Sequence, residues 1–484
     1  MENTIQSIIA AGLMVAMVGF SACKDDAPDV PNSQPTIDVG ADKVGMTDVS
    51  LDIDVVAVDP DGNALTFTWT IIDSPTGSSA TLVNSSDLRA TFETSLAGLY
   101  KVEIVVDDNN GGTNSGIVTL YIGGVLPTSI DNNTSYPDIF VDSDYPDYYA
   151  LGDLNATAGV TFEAGVIVES AADVRLWFNG SSGYIKAIGT SANRIIFRGM
   201  DKVKGSWRAI SISSNNVNNS FSFVDIMHTG SSAQFIGQAT AIYLQSNTSA
   251  KVSIRNTSIS LSAGYALFTD GNNGVLTEFS NNNFSDNDKA PVRIGGESLY
   301  ALDKNSVFTG NGIQAIEVSS AGNTNATFEN PGTIPALAIP YHVYSSLELR
   351  ATVTFEAGAT CLFESGKRLW ITSEGAIVAD GTATDKIVFS GLSQSPGAWF
   401  GFEFQSPSTL NLLNNTEVSY GGDTGGRGAN IYMFGSSPGS KLTLTNSIIT
   451  NSATYGLRAA SGNAALTESG NTFNSNASGD IRQD

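Results

Sequence analysis

Gly159-Val160-Thr161-Phe162-Glu163-Ala164-Gly165 returns 193 residues later as Thr352-Val353-Thr354-Phe355-Glu356-Ala357-Gly358. The same displacement carries Arg175-Leu176-Trp177 onto Arg368-Leu369-Trp370, and one of 192 carries Gly205-Ser206-Trp207 onto Gly397-Ala398-Trp399. Arg194-Ile195-Ile196-Phe197 likewise becomes Lys386-Ile387-Val388-Phe389, and Phe284 becomes Phe473 at a shift of 189. Order is kept while register drifts by a few residues, which is an internal duplication.

A finer beat runs inside each copy. Asparagine-led phrases at Asn256, Asn282, Asn305, Asn446 and Asn471 each precede a β-branched or aromatic residue: Ile259, Phe284, Phe308, Ile449 and Phe473. Successive hydrophobes within a copy lie 24 or 25 residues apart. That spacing suits one turn of a parallel β-helix, whose short strands point alternate side chains into a stacked core. The asparagines suit tight turns that need left-handed backbone geometry and can ladder from turn to turn. The fold class expected is all-β: an N-terminal sandwich, then a right-handed parallel β-helix with internal duplication. The solenoid is placed at 145–484, with copies at about 145–330 and 338–484.

Composition agrees. Charged residues are only 15% and glycines number 49, as a chain of many strands and turns requires. With 24 basic against 48 acidic residues the formal charge is −24, a field that repels nucleic acid and attracts cations. Of two cysteines, Cys361 lies in an apolar stretch and reads as a small buried hydrophobe, so no disulfide framework exists.

The other cysteine follows a short apolar run, Ile5 to Phe20, too brief for a comfortable membrane span. Phe20-Ser21-Ala22-Cys23 resembles the bacterial lipobox, which implies a signal peptide at 1–22 and a diacylglyceryl anchor on Cys23. Lys24-Asp25-Asp26 resembles the surface-export signal of Bacteroidota lipoproteins, and Pro28 and Pro31 give 23–32 the character of a tether. An outer-membrane location facing the exterior is expected.

Alternating strands at 49–55, 65–71, 100–106 and 116–122 make 33–123 a small β-sandwich. Asp59-Pro60-Asp61-Gly62-Asn63 through Trp69, Ala97-Gly98-Leu99-Tyr100 and Asp107-Asp108-Asn109-Asn110-Gly111-Gly112 resemble the polycystic-kidney-disease-like immunoglobulin module. The resemblance implies a spacer or adhesive unit with Trp69 between the sheets and Tyr100 tying down a corner. Asp59, Asp61, Asn63, Asp107 and Asp108 offer oxygens that calcium could take, although such turns form without metal. Residues 124–144 are expected as a linker.

The T-F-E-A-G, G-T, I-x-F, G-x-W phrases of the solenoid resemble the pectin-lyase-like superfamily, which houses lyases, hydrolases and adhesins alike. The hydrolase phrases Asn-Thr-Asp, Asp-Asp and Gly-His-Gly are missing from 145–484, as is the lyase phrase with paired Arg and Pro. His228 and His342 have no metal-ligand spacing, and Gly421 to Gly428 lacks a phosphate-cradling Lys-Ser or Lys-Thr ending. No catalytic residue is assigned. The residues offered for ligand contact are the basic cluster Lys202, Lys204 and Arg208 beside Arg194, which also reads as a solvated, charge-balanced loop, and the duplicated pairs Trp177 with Trp370 and Trp207 with Trp399, whose equivalent placement in both copies argues first for a packing role. The function expected is non-catalytic binding or adhesion at the cell surface by a monomer, with polysaccharide or surface glycan as partner and no nucleic acid. A carbohydrate-active enzyme and a structural envelope component are the alternatives.

Overall fold

The computed structural model describes residues 31–233, 237–269, 271–320 and 324–484; Cys23 and the signal segment lie outside them. Among the described residues the strands form seven sheets, and every pairing beyond Tyr148 is parallel.

The sandwich is antiparallel except where Lys43–Met46 pairs parallel with Thr113–Val125. Thr66–Asp73, Gly98–Asp107 and Thr113–Val125 form one sheet, and Leu51–Asp54, Arg89–Glu93 and Thr81–Val83 the facing one. Trp69 is buried between them and donates its indole N–H to the Asp87 carbonyl at 2.9 Å. Tyr100 is wholly buried, with its hydroxyl on the Leu96 carbonyl at 2.7 Å, the corner tie expected of it.

Thr113–Val125 is the joint. Its first part pairs antiparallel with Gly98–Asp107, and its last residues pair parallel with Tyr148–Ala150 of the solenoid. A sandwich sheet and a solenoid sheet are therefore one hydrogen-bonded sheet. The stretch 124–144 is not a free linker: Ser129–Ile130 and Thr134–Tyr136 pair parallel with Leu154–Ala156 and Gly159–Phe162. They form the first turn of the solenoid, because Ile130 and Tyr136 have apolar interior to cover.

Most turns contribute three strands; after Val292–Ile294 the short 3-10 helix Glu297–Ala301 takes the place of the third. Isoleucine, valine, leucine and phenylalanine alternate inward along them and stack in one core from Leu126 to Ala459. Ring pairs repeat with the duplication: Phe162 meets Phe197 at 5.1 Å, and Phe355 meets Phe389 at 5.0 Å. Asn256 and Asn446 hold positive φ, as the turn reading requires. Asn282 and Asn471 do something else. They follow Asn281 and Gly470 at positive φ and turn inward, accepting the Thr257 and Ser447 amides at 3.1 and 3.0 Å. Each also donates to a carbonyl of the turn below, so buried backbone groups are paired.

One sheet of fourteen strands runs through both copies, from Ser129–Ile130 to Thr472–Asn474. In the first copy it holds the strand of Trp177, Arg175–Asn179; in the second it holds Ile387–Gly391, whose first-copy counterpart, Ile195–Gly199, lies in another sheet. The strand of Trp370, Arg368–Ile371, sits in a sheet of its own copy. The duplicate is thus stepped round the solenoid axis by one face.

Candidate functional site

The basic cluster is consumed by neighbours. Arg208 makes a 2.7 Å contact with Asp173, Lys204 one of 2.7 Å with Asp288, Lys202 approaches Glu169 at 3.8 Å, and Arg194 holds Asp225 through two bonds of 2.8 Å. Arg208 and the hydroxyls of Ser232 and Ser231 hold the Asp173 carboxyl well below the usual carboxylate range.

Trp207 and Trp399, offered for ligand contact, are corrected to core residues. Both are wholly buried, and each spends its indole N–H on a carbonyl, Met227 at 2.7 Å and Ser419 at 2.9 Å. Trp177 and Trp370 face outward, with Arg175 and Arg368 over their rings at 4.8 and 5.0 Å.

The calcium candidates are divided among turn caps. Asp59 Oδ1 accepts the Asp61 and Asn63 amides, both at 2.9 Å, and Asp61 Oδ2 accepts that of Ser33 at 2.6 Å. Asp107 caps Asn109, and Asp108 caps Asn110 and Gly112 while taking the Asn32 amide on its second oxygen. Asp59 Oδ2 is buried without a partner. Among the described residues no three acidic, histidine or cysteine side chains converge as a metal would need, so the set does not fit the six to eight oxygens of a calcium cage. Cys361 is buried, and burial pushes its thiol far up, as an inert core cysteine requires. His342 Nε2 lies 2.9 Å from Glu364 Oε1, and His228 sits in a left-handed turn.

Two places emerge instead. The first is an outward ladder that the duplication repeats. In the first copy register places Trp177, Ser211, Tyr243, Phe268 and Arg293 side by side; in the second it places Trp370, Glu403, Tyr432, Arg458 and Arg482. The first ladder is covered: Tyr243 and Phe268 are 0% and 1% exposed. The second is open. Tyr432, Tyr455, Arg427 and Arg458 line a hollow of about 390 Å³, with Thr424 and Thr454 on its rim. Arg427 lies over the rings of Tyr432 and Phe434 at 5.6 and 4.9 Å. The glycine-rich turn Gly421 to Gly428 is what delivers Arg427 there.

The second place is a cavity of about 380 Å³ under the loop from Pro137 to Asp147, walled by Asp138, Phe140, Ile167, Asn193, Arg194 and Ile196. Asp147, at the loop's base, is wholly buried and accepts three amides: Ile139 and Phe140 on Oδ1 at 2.7 and 2.9 Å, Ile167 on Oδ2 at 2.7 Å. Burial nevertheless pushes its carboxyl up to about 6, against the pull of those bonds, with the neighbouring Asp138 adding to the rise. Neither aspartate was singled out from sequence. The signal existed as Tyr136-Pro137-Asp138, repeated nine residues on as Tyr145-Pro146-Asp147.

The comparisons bear on the N-terminal part. The family model described as a bacterial Ig domain matches residues 26–121, about a fifth of the chain. Among solved structures, the PKD domain from KIAA 1837 protein is similar at 20% identity, covering 19% of this chain and 90% of that one, with a TM-score of 0.16. No curated protein matches. The chain therefore carries an Ig-like module ahead of its parallel β-helix.

Proposed function

We propose that this chain is a lipid-anchored cell-surface protein, attached through Cys23 to the outer membrane and facing outward, that binds a glycan without altering it. The observation carrying this reading is the open ladder of the second copy. Half-buried tyrosines offer a sugar an aromatic face, and Arg427, 3.9 Å from Glu403, and Arg458, paired with Asp484, flank them with guanidinium groups. The sandwich acts as a spacer; because its sheet continues into the solenoid, it presents that face on a stiff stem. Among the described residues no helix is long and apolar enough to cross a membrane, and a lipid-anchored chain needs none.

The test is a panel of neutral and acidic polysaccharides assayed for binding and for released sugar. Tyr432→Ala is expected to weaken binding at least about tenfold, on the scale of one lost stacking contact. Sugar release would sink the binding reading in favour of an enzyme. Retained affinity in Tyr432→Ala would move the contact elsewhere.

A further inference from the structure

The cavity under the Pro137 loop belongs to the first copy alone. Tyr148 and Tyr341 are equivalent, and each donates its hydroxyl to a proline carbonyl, Pro137 at 2.8 Å and Pro335 at 2.7 Å. Between proline and tyrosine the first copy is five residues longer, and this insertion brings Asp138 and Asp147 where the second copy has Ala336 and Pro340. Opposite the loop, Gly165 has φ +99°, and a Cβ there would come within 2.4 Å of Asp138 Oδ2. Glycine is thus required both for the turn and for the room that the carboxyl occupies.

The charges within this space do not balance. Of the residues lining the cavity, Arg194 alone is cationic, and its hydrogen bonds go to Asp225 and to the Val224 carbonyl rather than to Asp138. Asp138 Oδ1 is buried with no hydrogen-bond partner, which is a costly state for a carboxyl oxygen. Once ionised, Asp147 has no proton to give Asp138, and its own oxygens accept three amides. What the floor lacks is a compact cation with several N–H donors. The walls add a second requirement. Phe140, Ile167 and Ile196 form an apolar side, while Ser143, Ser191 and Asn193 supply hydroxyl and amide groups. A saccharide ring has C–H faces for the first and hydroxyls for the second, and the volume is within the ordinary range for a small-ligand pocket.

We propose that this cavity binds an amino sugar, a hexose-sized ring with a protonated amine, whose ammonium is held by Asp138. The site is distinct from the tyrosine-lined hollow of the second copy. Its affinity depends on pH with a defined sign. Below about pH 6 a proton shared between Asp138 and Asp147 occupies the place of the ammonium, and binding must displace it. The other ionisable groups facing this pair are Tyr136, Tyr148 and Glu163, with Arg194 and Asp225 across the cavity.

The experiment is calorimetric titration of the full chain with glucosamine and, as the uncharged match, glucose. Glucosamine should bind at least about tenfold more tightly near pH 7, the scale of one charge-assisted bond. Its affinity should fall, with growing proton release, as the pH is lowered toward 5. Asp138→Asn should abolish the preference. Ser191→Trp, which fills the cavity from its exposed rim, should abolish binding with the melting temperature unchanged, so the idea can be judged even if Asp138→Asn folds poorly. Equal affinity for the two sugars, binding of neither, or a preference that survives both variants would overturn the proposal.

Discussion

Trp207 and Trp399 occupy the same corner of the two copies, yet their surroundings differ. In the second copy Phe363 lies flat on Trp399, with ring centroids 4.2 Å apart, and Phe402 meets it edge-on at 5.9 Å. In the first copy the place of Phe363 is taken by Ser170, Ala398 by Ser206 and Gly421 by Thr229, and all three hydroxyls are buried without a partner. The indole bond is kept in both. One copy thus closes its corner with aromatic contact, while the other leaves polar groups in the core. The lesson is that duplicated backbone geometry survives a change of packing chemistry, provided the donor at the strand end is still satisfied. The first copy also carries the inserted loop with Asp138 and Asp147, which the second lacks.

The largest effect should come from the corner itself. Trp399→Ala removes a wholly buried indole and its ring stack, a loss of about 4–5 kcal/mol. Trp207→Ala should fall near about 3 kcal/mol, because no aromatic neighbour is stranded. Hydrogen exchange of the flanking turns distinguishes the copies where a single unfolding curve would merge them. Equal losses would break the contrast.

The next effect separates the copies by pH. Asp147 has a folded-state pKa of about 6, above the roughly 3.9 of an unfolded aspartate. The native state binds the extra proton between those values, so stability of the first turns should decline as pH rises from about 4 to about 6, by roughly 2–3 kcal/mol. Asp173, held low by Arg208, acts with the opposite sign, and its contribution is lost as pH falls below the unfolded range. The Ile139, Phe140 and Ile167 amides, all bonded to Asp147, should exchange faster at pH 6 than at pH 4 after correction for intrinsic rate. Turns near Pro340 should show no such trend. Asp147→Asn should flatten the dependence, at a fixed cost from turning an amide N–H toward that of Ile167.

What sequence could show was set by repetition. A duplicated phrase names strands and inward positions, so the solenoid, the sandwich strands and Trp69 and Tyr100 were all legible. The step by one face was not, because it depends on how the chain crosses from Ile316–Val318 to Tyr341–Val343, two strands that pair in a sheet shared by both copies. For Trp207 and Trp399, equal placement in both copies pointed first to packing, and their burial and the carbonyls that meet their N–H groups agree. The aspartate cavity escaped because its residues come from an insertion without counterpart, on which repeat-based reading is silent. The Ig-like module was legible from its turn and tryptophan phrases, whereas Asp59, Asp61, Asp107 and Asp108 each spend one carboxyl oxygen on capping backbone amides.

The smallest effect concerns the charged loop that first drew notice. Lys204 and Asp288 are 38% and 52% exposed along their side chains, so their 2.7 Å contact lies in water and is screened by salt. The equivalent loop of the second copy, Leu392 to Pro396, has no charge. Lys204→Ala should therefore cost no more than about 0.5 kcal/mol and leave sugar binding at either proposed place unchanged. If it cost several times that, or if high salt destabilised the first copy selectively, surface charge would be holding the corner that Phe363 holds in the second. The copies would then be stabilised by different means at one site, rather than differing in how tightly a shared core is filled.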